Sequence, residues 1–114
     1  MSKDMTDAQM VEKVAREVMG YTDFELNRNS PRYATWKNGE SPFRQIFRPL
    51  TDANDTQMIK NRLREMGWTI RIDITPDRSV HVEILNSEYE FNVWADTEPR
   101  AICEAALNAM EKPI

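Results

Sequence analysis

Metal and thiol chemistry have little to work with in this sequence, which holds one histidine, His81, and one cysteine, Cys103. A zinc site needs about four ligands of the right kind at suitable spacing, so none is expected, and no other cofactor either. A lone cysteine also excludes an internal disulfide framework and fits a reducing compartment. Only three glycines are present, Gly20, Gly39 and Gly67. Each stands at a turn or helix end, which leaves none for a phosphate-cradling loop. The apolar runs are short, Ala105-Ala106-Leu107 being typical, whereas a membrane span needs about 20 consecutive apolar residues. The opening Met-Ser-Lys-Asp-Met-Thr-Asp leads straight into an amphipathic pattern without a signal peptide's apolar core. These absences point to the cytoplasm, without a membrane partner.

What the sequence does hold is enough for one core. The chain has 114 residues, with 40% hydrophobic and 30% charged. That is the length and composition of a single globular domain, residues 1–114, which folds without metal or disulfide. The net charge of −4 argues against general or sequence-specific nucleic-acid binding. The charge is unevenly spread, however. Across 28–64 eight basic residues face three acids, whereas the remainder carries seven basic residues and sixteen acids.

Met10, Val11, Val14, Ala15, Val18 and Met19 recur at helical spacing and predict a first helix, capped by Thr6 or Asp7 and ended by Gly20. A second helix should start near Asp52 or Asn54, with Met58, Ile59, Leu63 and Met66 as its apolar stripe and Gly67 as its stop. Three alternating runs follow: Trp68, Ile70, Ile72, Ile74; then Val80, Val82, Ile84; then Tyr89, Phe91, Val93, Ala95. Joined by short turns, they predict an antiparallel meander. Trp94 falls among the polar residues of its second face. Thr97, Glu98 and Pro99 open a last helix, whose small residues Ala101, Ala105, Ala106 and Ala109 suit close packing on a sheet.

The fold class is therefore α+β: a three- to four-stranded, mostly antiparallel sheet flanked by helices, a layered α/β sandwich. The first and last helices are expected on the face bearing Ile70, Ile72, Ile74, Val82, Ile84, Phe91 and Val93. Residues 22–50 read as an irregular segment broken by Pro31, Pro42 and Pro49. Within it, Tyr33 to Trp36 can form a short strand turned back at Asn38-Gly39 toward Phe43 to Phe47.

The order of motifs in 47–110 carries a resemblance. A proline lead-in, Arg48-Pro49-Leu50-Thr51-Asp52, precedes a helix ending Leu63-Arg64-Glu65-Met66-Gly67-Trp68. After the strands comes Pro99-Arg100-Ala101-Ile102-Cys103-Glu104-Ala105-Ala106-Leu107-Asn108-Ala109. With Val18-Met19-Gly20-Tyr21 at the end of the first helix, this resembles the phage ABA sandwich domain family. The resemblance spans the second half and the first helix, and leaves 22–46 unmatched. It implies a phage or prophage origin, a bacterial host cell and a layered α/β fold. It transfers no catalytic residue. It raises one class of role, the binding of a host protein such as a defence component.

Nothing in the residues marks an enzyme. Cys103 lies in an apolar helix stripe, where cysteine acts as a small hydrophobe. His81 sits on a strand face. Asp73 with Glu83, or Glu88 with Glu90, can face one another, but solvated sheet faces account for them. Asp52-Ala53-Asn54-Asp55 is a helix-start cluster. The constellation that stands out is basic and aromatic: Arg32, Tyr33, Trp36, Lys37, Phe43, Arg44 and Arg48, with Phe47 beside them. Arginines among aromatics anchor protein interfaces, clamp phosphates and stack bases, or simply cover a sheet with their charges outward. The leading reading is a non-enzymatic phage protein that binds a host protein through 28–48. A nucleotide or signalling-molecule binder is the alternative, and a homo-oligomeric assembly part, favoured by an exposed Trp94, is a third.

Overall fold

The computed structural model describes residues 6–26, 34–37, 44–77 and 79–111. Helix α1 (Asp7–Glu17) begins at Thr6 with a reciprocal capping box, in which the Thr6 and Gln9 side chains each accept the other's backbone N–H. It buries Met10, Val14 and Ala15, the residues whose spacing announced it. Helix α2 (Ala53–Glu65) starts at Asp52, whose side chain accepts from the Asn54 amide. It stops in a Schellman turn: Trp68 N–H donates to the Leu63 carbonyl at 3.0 Å and Gly67 N–H to that of Arg64 at 3.0 Å. Gly67 adopts φ 95° there, a conformation that costs other residues a Cβ clash. Both Leu63 and Trp68 are buried, so the turn also seals an apolar contact.

The meander is as its alternation predicts. Strands β4 (Thr69–Ile74), β5 (Val80–Leu85) and β6 (Glu90–Ala95) pair antiparallel, with Ile72 opposite Val82 and Val82 opposite Val93. Helix α3 (Glu98–Met110) follows, its N-cap Thr97 accepting from the Arg100 amide. Ala101, Ile102, Cys103, Ala105, Ala106, Leu107 and Ala109 are all buried. A helix buried on so much of its circumference has neighbours on several sides.

Those neighbours differ from the expected arrangement. Helix α3 packs across β5 and β6, and α2 packs on α3 and β4. Helix α1 packs on α3 and touches strand β1 (Thr22–Leu26) rather than the isoleucine face of the meander. The small residues of α3 explain this, since alanines allow close approach on both its sheet side and its helix side. At the end of β4, Ile74 is 76% exposed while Ile70 and Ile72 are packed against the core. The register is correct and the covering incomplete.

The segment 22–50 holds a second sheet. Strands β1 (Thr22–Leu26), β2 (Ala34–Lys37) and β3 (Arg44–Ile46) pair antiparallel in that order. The β2–β3 pairing, Trp36 opposite Gln45, is the hairpin read from the sequence. Strand β1 is short, and its alternation is limited to Phe24 and Leu26 between acids, too few residues to separate a strand from a loop; its pairing with β2 shifts register between Thr22 and Glu25. The chain re-enters α2 through polar contacts: the Thr56 hydroxyl donates to the Pro49 carbonyl at 2.6 Å, and the Arg48 amide donates to Asp55 at 2.8 Å. Asp52 and Asp55 thus cap a helix and close a loop, as a helix-start cluster should.

Candidate functional site

The basic and aromatic residues do not form one exposed cluster among the described residues. Trp36 is buried, and the Arg16 guanidinium lies 5.8 Å from its ring centroid, so a cation already covers it within the chain. Phe47 is also buried, edge-on to Tyr21 at 5.3 Å. Lys37 is half-buried and lies opposite Arg44 across β2 and β3. Arg48 is exposed at the loop before α2. Arg32, Tyr33 and Phe43 lie outside the described residues.

A different surface is organised by the meander. On β5 the inward residues Val80, Val82 and Ile84 are buried, so His81, Glu83 and Leu85 face the other way. Cross-strand pairing turns that outer face into three rows: Asp73–His81–Trp94, Arg71–Glu83–Asn92 and Thr69–Leu85–Glu90. Trp94 is 59% exposed. Its ring stacks on the His81 imidazole, centroids 4.4 Å apart and planes 22° off parallel. His81 Nε2 lies 2.8 Å from Asn92 Oδ1, and its Nδ1 3.8 Å from Asp73 Oδ2. Arg71 lies 3.6 Å from Glu83.

His81 is thus contacted on three sides, and its ring stacks against that of Trp94. Sequence alternation had placed Trp94 on this face, but the stack needed the β5–β6 register. Asp73 and Glu83 do not form a carboxylate pair. Asp73 lies opposite His81, and Glu83 opposite Arg71. Among the described residues no group of histidine, cysteine and carboxylates could hold a metal.

Cys103 lies on the other side of the sheet from His81, inside α3. Burial pushes its thiol up to about 12, with Arg100 pulling down and Glu104 pushing up. It is therefore a neutral, inert thiol at neutral pH. Its folded pKa exceeds the ordinary 9.0, so its stabilisation is whole below pH 9 and is lost as pH climbs toward 12. Between pH 8 and pH 10 the protein should lose about 1 kcal/mol more stability than Cys103→Ala. Urea melts of both proteins at the two pH values check this; equal losses would mean the thiol ionises freely.

A family model for the phage ABA sandwich domain matches residues 12–107. The chain belongs to the phage ABA sandwich domain family. A crystal structure of a phage protein from Bacillus cereus ATCC 14579 is similar in fold, with a TM-score of 0.70 at 17% sequence identity. The match covers 96% of this chain and 92% of that one. No curated protein matches the chain. The resemblance read from the proline lead-in, the glycine stop and the alanine-rich helix is therefore correct, and it extends across the 22–46 segment that those motifs left unmatched. No helix of this phage ABA sandwich protein, among the described residues, is long and apolar enough to cross a membrane.

Proposed function

We propose that this phage protein acts without catalysis, by holding a host protein inside the bacterial cell on the outer face of β4–β6. The observation that carries the reading is Trp94, 59% exposed yet stacked on His81. Single exposed aliphatics need no explanation, but tryptophan is the side chain most enriched at the energetic centres of interfaces. A ring already fixed by a neighbour loses less freedom on binding, so more of its contact energy reaches the complex. Among the described residues no element covers this face; α2 and α3 lie on the opposite one.

The test is a photo-crosslinking residue placed at Asn92 and, as a control, at Gln57 on α2, with the protein expressed in its host. One defined host-protein adduct is expected at 92 and none at 57. The purified partner should then bind wild type and lose tenfold or more affinity for Trp94→Ala. Adducts only between copies of the chain would instead support the homo-oligomer, and no adduct at 92 would reject the face.

The charge asymmetry keeps 28–48 as a second reading, since Arg48 is exposed at its end. Converting Arg44 and Arg48 to glutamate should then abolish capture of the same partner without unfolding the chain. The nucleotide-binding alternative draws no support from Trp36, whose ring is covered by Arg16. A thermal-shift screen decides it, because ligand at 100 times its Kd adds about 2.7 kcal/mol.

A further inference from the structure

Resting on that reading, we propose that the occupant of the outer β4–β6 face is a short, extended, basic protein segment that lays an arginine or lysine over Trp94. The first argument is sign. On the face, Arg71 sits against Glu83 at 3.6 Å, and Asp73 and Glu90 then set the local charge as negative. Across the whole meander, 69–96, two arginines stand against six acids. A polyphosphate backbone or an anionic lipid surface would be repelled from it. A cationic segment would be drawn to it.

The second argument is chemistry. The π-face of an exposed tryptophan attracts guanidinium and ammonium groups more strongly than other aromatic rings do. Asp73 lies in the same cross-strand row as Trp94, so a cation above the ring has a carboxylate on the same row. The third argument is size. Three strands about 4.8 Å apart and six residues rising about 3.4 Å each outline roughly 10 by 20 Å. That is well short of the ~800 Å² per partner of a standard stable interface, and suits a strand-like segment rather than a domain. A second copy docked face to face would also set acids against acids.

The experiment uses the full-length, nitrogen-15-labelled protein and two synthetic peptides of equal length and apolar content. One carries four arginines at alternate positions and the other four glutamates. The readout is the Trp94 indole N–H resonance, with those of the buried Trp36 and Trp68 as internal references. At physiological salt the arginine peptide should shift the Trp94 indole and the amides of β4–β6, leave Trp36 and Trp68 unmoved, and bind tenfold or more weakly to the Asp73→Asn/Glu90→Gln double variant. These positions are exposed, so the variant folds.

Equal shifts from both peptides, or a preference for the glutamate peptide, overturn the basic partner while leaving the face as a docking surface. Shifts that depend on protein concentration without peptide assign the face to a second copy and overturn the proposal. No Trp94 shift with either peptide also overturns it. The crosslink at Asn92 then reports separately whether the docking surface itself survives.

Discussion

Trp36→Ala is expected to lower the free energy of unfolding by about 3–5 kcal/mol, the range for deleting a large buried aromatic. A domain of this length has only about 5–15 kcal/mol in all, so the variant should be substantially unfolded or aggregation-prone at 37 °C. The loss has two sources. The ring is fully buried, so its apolar area is forfeited and a cavity remains. The Arg16 guanidinium over its face is left above a void, and the cation–π attraction disappears. Urea denaturation followed by circular dichroism measures the loss directly. Trp94→Ala is the matched control and should stay within about 0.5 kcal/mol of wild type, as substitutions at exposed positions usually do. If Trp36→Ala were equally silent, Trp36 would be no part of the core, and the basic–aromatic segment would regain an exposed anchor.

The second large effect is at the centre of the fold. Ala105→Leu should cost about 1–3 kcal/mol through overpacking, although leucine is nearly as good a helix former as alanine and far more hydrophobic. The sign is what makes the test useful. On an exposed helix the same change would be close to neutral. Ala105 is buried in a helix that packs on β5 and β6 and also on α1 and α2. Three added heavy atoms therefore push two layers apart whichever way the side chain turns. Asn108→Leu, at a partly exposed position of the same helix, should lose less. A stabilised Ala105→Leu would show that α3 faces slack rather than close packing.

Much of this architecture was readable in the order of residues. Thr6, Asp52 and Thr97 are caps because a short side-chain oxygen ahead of an apolar periodicity satisfies a free helix amide, and no distant residue is needed for that. Gly67 ends α2 because the turn demands positive φ. The alternation from Ile70 to Ala95 reveals a half-buried meander, because a strand's two faces have a period of two. The candidate site was less legible. Trp94 was visible as an aromatic among polar neighbours, but its meaning depended on His81 standing opposite it. Trp36 looked like a surface anchor because arginines surround it in sequence. The cation that covers it, Arg16, comes from another element, twenty residues earlier.

The division follows from the range of the forces involved. Caps, turns, periodicity and the boundaries of α1, α2, β4, β5, β6 and α3 are set by interactions within about four residues, and the chain carried them unaided, together with the family to which it belongs. Packing decided the rest. It placed α1 on α3 instead of on the isoleucines, hid Trp36 and Phe47, left Ile74 uncovered, and stacked Trp94 against His81 on an acidic face. Burial and stacking join residues far apart in sequence, and a local pattern records that a side chain is apolar without recording what will cover it.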